Sequence, residues 1–180
     1  RGQSGGNADT ENLMRPAESF VYPETNEVFV ADGYGNRRVI VLDAQTGVFK
    51  RMWGGFGGEP RDPQPTPSRA AGGGSDVSRG EGPGPQQFGT VHGIEVGLDG
   101  RVYVADRNNG RIQRFTLDGA FLEQRFVNPD GESALTVAGL AFSGDWEQMF
   151  IYVADQGNSL IHIVDRQTLE VLDSFGGNGE

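Results

Sequence analysis

The chain has 180 residues, a formal net charge of −10 at pH 7, 29 glycines and no cysteine. That length suits one ordinary domain, and the acidic balance argues against nucleic-acid binding, which needs a basic face. The missing cysteines exclude disulfides, thiolate metal sites and a cysteine nucleophile, and no apolar run approaches the roughly 18 residues of a membrane span.

Residues 1–15 begin with Arg1-Gly2-Gln3-Ser4, without an apolar signal core. They read as a flexible leader or the tail of an earlier repeat. From residue 16 one phrase occurs three times, as Val28-Phe29-Val30-Ala31-Asp32, Val102-Tyr103-Val104-Ala105-Asp106 and Ile151-Tyr152-Val153-Ala154-Asp155. Each copy is followed by a polar Gly/Asn loop and a second apolar run. A repeated β-unit of this size signals a propeller or a solenoid. The first copy predicts strands at 19–22, 27–31, 38–42 and 48–53. Next comes a Pro- and Gly-rich insert, residues 57–87, too poor in apolar side chains to offset the entropy of ordering. It reads as a flexible surface excursion or as a partner-binding arm.

The second copy predicts strands at 91–96, 101–105, 111–116 and 121–127, with turns at Asp99-Gly100 and Leu117-Asp118-Gly119. The third predicts strands at 139–142, 149–154, 160–164 and 170–175. No window carries a helical period over the ~11 residues such an assignment needs. The fold class is therefore all-β: a β-propeller segment of three four-stranded antiparallel blades at 16–56, 88–130 and 131–180. Propeller rings typically close with about 4–8 blades. The chain is therefore expected to be part of a larger ring, completed by remaining blades or partner subunits, or by self-association.

Residues common to all three blades are expected to be architectural. Asp32, Asp106 and Asp155 end each second strand, where Asp can accept amides of the following turn. Asn36, Asn109 and Asn158 suit the left-handed conformations of such loops. Arg38 and Arg111 open the third strand, where the last blade has Leu160. The singular residues are the candidates for function. With the first strands aligned on Phe20, Ile94 and Leu140, the axial position two residues earlier holds Glu18, His92 or Ala138. His92 is either a scaffold hydrogen-bonder or a metal ligand, and His162 reads as a packing or surface residue. Tyr34 lies in a loop one residue longer than its counterparts. Arg107 follows Asp106 where the other blades have Gly33 and Gln156. Tyr34, His92 and Arg107 are expected either to converge at one mouth of the channel or to remain ordinary polar rim residues.

The repeat phrase resembles the NHL repeat over residues 16–56 and 88–180, which implies a six-bladed propeller. Within it, Asp32-Gly33-Tyr34-Gly35-Asn36-Arg37-Arg38, Val91-His92-Gly93 and Ala105-Asp106-Arg107-Asn108-Asn109-Gly110-Arg111-Ile112-Gln113 are similar to the peptidyl-α-hydroxyglycine α-amidating lyase family. That resemblance implies a channel zinc held by three His from alternating blades. His92 falls on one ligand position, and the other two would lie outside residues 1–180. It further implies Tyr34 as a catalytic general base and Arg107 as a catalytic carboxylate-binding residue. Gly35 stands where the family usually has Cys.

Two main readings follow. One is a binding or interaction propeller, with a protein or peptide ligand, that keeps an amidating-lyase-like channel site. The other is a zinc-dependent lyase that releases a peptide amide and glyoxylate when the ring is complete. With one zinc ligand among them, these 180 residues alone are expected to be inactive. A calcium propeller using Glu18 is a weaker alternative, because hard-cation sites gather several oxygens, and RNA binding conflicts with the charge. An extracellular or periplasmic location is expected.

Overall fold

β-branched and aromatic residues fill each repeat, and Gly, Asn and Asp punctuate it, so every copy folds as an antiparallel meander. The computed structural model describes residues 5–62, 85–131, 133, 135–177 and 179. Blade 1 contains β1 (Glu18–Tyr22), β2 (Glu27–Asp32), β3 (Arg38–Asp43) and β4 (Phe49–Trp53). Blade 2 contains β5 (Val91–Val96), β6 (Arg101–Asp106), β7 (Arg111–Thr116) and β8 (Phe121–Phe126). Blade 3 contains β9 (Gly139–Phe142), β10 (Phe150–Asp155), β11 (Leu160–Asp165) and β12 (Val171–Gly176). Each sheet keeps its strands in chain order. Of the 57–87 insert, residues 63–84 lie outside the described residues, as do residues 1–4 of the leader.

The first strands are neighbours: β1 packs beside β5, and β5 beside β9. They form the inner edge of a fan of sheets, a partial β-propeller. Two apolar layers fill the gaps between blades. Phe29, Val39, Val41 and Trp53 of blade 1 meet Ile94, Val102, Val104 and Phe115 of blade 2. Tyr103, Ala105 and Ile112 of blade 2 meet Leu140, Ile151, Val153 and Val164 of blade 3. Each such buried side chain contributes about 1.5–3 kcal/mol relative to exposure.

Under each mouth loop the shared Asp is buried in a polar lock. The Asp32 carboxylate accepts Arg38 Nε at 3.0 Å, Asn36 Nδ2 at 2.7 Å and the Met14 amide at 2.9 Å. The Asp106 carboxylate accepts Arg111 Nε at 2.8 Å, Asn109 Nδ2 at 2.8 Å and the Gly89 amide at 2.8 Å. Burial pushes the Asp106 carboxyl up, and Arg111 pulls it back. The expected cap on the following turn is seen at Asp155, which accepts the Asn158 amide at 3.0 Å. In blades 1 and 2 an amide of the segment that enters the blade also reaches the carboxylate.

Among the described residues, blade 3 has no arginine in its lock. Leu160 pairs with Asp155 in the register at which Arg38 pairs with Asp32 and Arg111 with Asp106. His162, two residues further along β11, supplies Nε2 to Asp155 at 3.0 Å and is itself buried. It packs as expected but also closes the lock, a role its position alone did not reveal.

The segment read as a flexible leader is tied to this architecture over residues 7–14. Arg38 Nη1 and Nη2 donate to the carbonyls of Asn7 and Asn12, both at 2.8 Å. Asn7 is buried and bonds Asp62 from both its amide and its side chain, at 2.7 and 2.8 Å.

Strand pairing corrects the expected alignment of the first strands. Ser19, Ile94 and Leu140 face the equivalent residues Val30, Val104 and Val153. The position two residues earlier is therefore Ala17, His92 and Ala138, and Glu18 is not the counterpart of His92. Ser19 occupies a slot that the other blades fill with an apolar residue. The apolar pattern thus shifts by one residue onto Phe20, and a one-residue shift exchanges the faces of a strand.

Candidate functional site

Tyr34, His92 and Arg107 meet where the loops after β2 and β6 approach the start of β5. A close approach places the first. A Cβ at Gly33 would lie 2.0 Å from the Val91 carbonyl oxygen and 2.4 Å from its nitrogen. Only glycine lets this loop lie against the start of β5, and Tyr34 then projects over the next blade. A bulge places the second. Val91 pairs with Asp106 and Gly93 with Ala105, so His92 is the extra residue of the ladder. Neither β1 nor β9 carries such a shift. Bulges re-aim side chains, and here His92 sits on a register shift that the first strands of the other two blades lack. Arg107 opens a 3-10 turn, Arg107–Asn109, and its amide donates to the Thr90 carbonyl at 2.9 Å.

The hydrogen-bond directions follow from the partners. His92 Nδ1 lies 2.5 Å from the Ala138 carbonyl oxygen, which can only accept, so Nδ1 carries the proton. In the neutral ring Nε2 is then an acceptor, and the Tyr34 hydroxyl donates to it across 2.8 Å. Arg107 Nη1 donates to the same hydroxyl oxygen at 3.4 Å and stacks its guanidinium 5.4 Å from the Tyr34 ring centroid. Cation, phenol and imidazole thus form one directed chain.

Two members of the cluster had little or no sequence signal. The Ala138 carbonyl belongs to blade 3, and a backbone group leaves no mark in composition. Gln156 fills the slot of Arg107 one blade on, and its Oε1 accepts Arg107 Nη1 at 3.4 Å. Near the inner edge of the fan, Glu18 Oε2 accepts the Ile94 amide at 2.8 Å. Its neighbour Glu95 is pushed up to about 7, chiefly by burial and then by the Glu18 charge.

His92 has the tautomer of a metal ligand, with Nδ1–H fixed by a carbonyl, while its Nε2 accepts the Tyr34 hydroxyl. Among the described residues, however, no three His, Cys, Asp or Glu converge. A catalytic zinc takes about three protein ligands, so these residues do not by themselves make a zinc site. Nor does Glu18 gather the oxygens calcium requires. Among the described residues no helix is long and apolar enough to cross a membrane.

Fold and site together define a partial β-propeller with a polar cluster at its mouth. Residues 88–115 match the NHL repeat, so the chain carries that repeat, consistent with the NHL propeller family that the sequence resembles. Peptidyl-glycine alpha-amidating monooxygenase A of Xenopus laevis is 33% identical over 174 residues, covering 93% of this chain and 16% of that protein. Peptidylglycine alpha-amidating monooxygenase of Rattus norvegicus is 33% identical over 113 residues, 62% of this chain and 9% of that protein. NHL repeat-containing protein 3 of Homo sapiens is 30% identical over 119 residues, 65% of this chain and 26% of that protein. The chain therefore spans about a quarter or less of the length of these relatives. Hydrazine synthase of Kuenenia stuttgartiensis superposes with a TM-score of 0.60 at 16% identity, over 97% of this chain and 39% of that one. Sqt1 of Saccharomyces cerevisiae gives 0.56 at 11% identity, over 88% and 35%. These two likenesses concern the fold alone.

Proposed function

We propose that this chain is part of a binding and interaction propeller for a protein or peptide ligand, with an amidating-lyase-like site at its channel mouth. Remaining blades or partner subunits complete the ring. The observation that carries this reading is the continuous contact from Arg107 Nη1 through the Tyr34 hydroxyl to His92 Nε2, at 3.4 and 2.8 Å. Arg107 offers a fork of donors suited to a carboxylate. Tyr34 holds a proton oriented toward His92, which can receive it while Nδ1–H stays fixed on blade 3. An extracellular or periplasmic location goes with this reading.

The amidating monooxygenase relatives and the metal-ready tautomer of His92 favour a second reading: a lyase that cleaves peptidyl-α-hydroxyglycine to a peptide amide and glyoxylate in the complete ring. Bound zinc would supply Lewis-acid polarisation there, with ligands additional to His92. In this reading Tyr34 would take the proton of the α-hydroxyl, and Arg107 would hold the carboxylate and stabilise the charge developing on the hydroxyl oxygen.

The full-length protein separates the two. Zinc content that falls in His92→Ala, and glyoxylate release that drops about 10²-fold or more in Tyr34→Phe, support the lyase. Zinc content unchanged by His92→Ala removes the lyase and leaves the binding reading. That reading in turn requires a peptide with a free C-terminal glycine to bind, and to bind more weakly to Arg107→Ala; equal binding overturns it.

A further inference from the structure

Most of the described arginines that carry structure are matched by a carboxylate. Arg38 pairs with Asp32, Arg51 with Glu27, Arg111 with Asp106, Arg114 with Glu123 and Arg166 with Asp99. Arg107 is different. Its contacts are the Tyr34 hydroxyl, the Gln156 amide oxygen and the Asn108 amide oxygen, each at 3.4 Å, and among the described residues it makes no ion pair. In a chain with a net charge of −10, this cation is surrounded by neutral acceptors.

Gln156 is the part of that arrangement contributed by blade 3. Both its chain neighbours are fixed. Asp155 is held in the lock, and the Gly157 amide donates to the Leu135 carbonyl at 3.1 Å. The amide side chain therefore starts from a fixed point, and its Oε1 meets the same Arg107 Nη1 that donates to Tyr34. A glutamate here would have the same length and the same acceptor geometry, but would pair with the guanidinium and satisfy its charge.

We infer that Gln156 is a positioning residue that holds Arg107 across the mouth without neutralising it, so that the site keeps a free cation for a ligand carboxylate. This rests on the mouth-site reading above and adds the residue that sets its charge. Gln156 touches the arginine, not the ligand.

The test uses the full-length protein and N-acetylglycine as the probe, with binding measured by titration calorimetry for the parent, Arg107→Ala, Gln156→Ala and Gln156→Glu. Gln156 is exposed, so all Gln156 variants are expected to keep the parent melting temperature. A lost neutral contact weakens binding about two- to fivefold in Gln156→Ala, whereas an internal ion pair weakens it about tenfold or more in Gln156→Glu. A merely structural Gln would be replaced well by its isostere, giving the reverse order. Parent-like binding by Gln156→Glu or Gln156→Ala, with Arg107→Ala impaired, overturns this inference and spares the mouth site. A parent that does not bind the probe, or an Arg107→Ala variant that binds as well as the parent, overturns both.

Discussion

Blades 1 and 3 carry the same pattern in the same register and end in different surroundings. Phe29 and Trp53 of blade 1 correspond by strand pairing to Tyr152 and Phe175 of blade 3. Phe29 is fully buried and Trp53 is 3% exposed, whereas Tyr152 is 37% and Phe175 54% exposed. Blade 2 covers the first pair, and no described strand covers the second. Apolar patterning is thus a property of a blade, and burial a property of its neighbour. The locks differ in a second way: a permanent guanidinium balances Asp32 and Asp106, and a histidine serves Asp155.

Removing the balancing cation is expected to have the largest effect. Arg111→Ala leaves Asp106 buried without its ion-pair partner and should cost about 3–5 kcal/mol in chemical denaturation. His162→Ala removes one donor from an Asp155 still served by Asn128 and Asn158, and should cost about 1–3 kcal/mol. Equal losses would show that the two locks are equivalent after all. Core truncation probes the other difference. Trp53→Ala should cost about 3–5 kcal/mol, and Phe175→Ala about 1 kcal/mol or less because its ring is half exposed. Similar losses would mean that blade 3 is covered in solution.

A further effect concerns pH. Glu95 titrates near 7 in the folded chain against an ordinary value of 4.5. Its contribution to stability is complete below about 4.5 and is lost as pH rises through 7. Glu27, held down to about 2 by Arg51, works in the opposite direction and only well below this window. Urea denaturation at pH 5 and pH 8 should show the parent losing more stability at pH 8 than Glu95→Gln does. Glu18→Gln should lie between them, because its charge is the lesser cause. Identical pH profiles for all three would exclude Glu95 as their source.

The meander was legible because Val-Ala-Asp and its turns recur, and the strand ends fall within one or two residues of expectation. The first-strand register was not legible, because Ser19 breaks the apolar alternation and a short strand offers no second cue. The bulge at His92 was hidden for a related reason: an extra residue is visible only against its partner strand. Convergence of Tyr34, His92 and Arg107 was one of two outcomes the sequence left open, because each departs from the other blades near the end of a second strand or the start of a first. Gln156 shared that slot, but its reach toward Arg107 depends on the angle between blades, which sequence does not encode. The lock's use of Met14 and Gly89 amides was hidden because any residue can supply an amide.

The imidazole of His92 donates to a carbonyl from one neighbouring blade and accepts a hydrogen bond from a phenol on the other. Its protonation pattern is therefore dictated by curvature. Were the same three phrases bent into a ring with more or fewer spokes, carbonyl and phenol would move apart, and a different nitrogen would be free to carry the hydrogen. The pitch from one spoke to the next is, in this chain, a chemical variable.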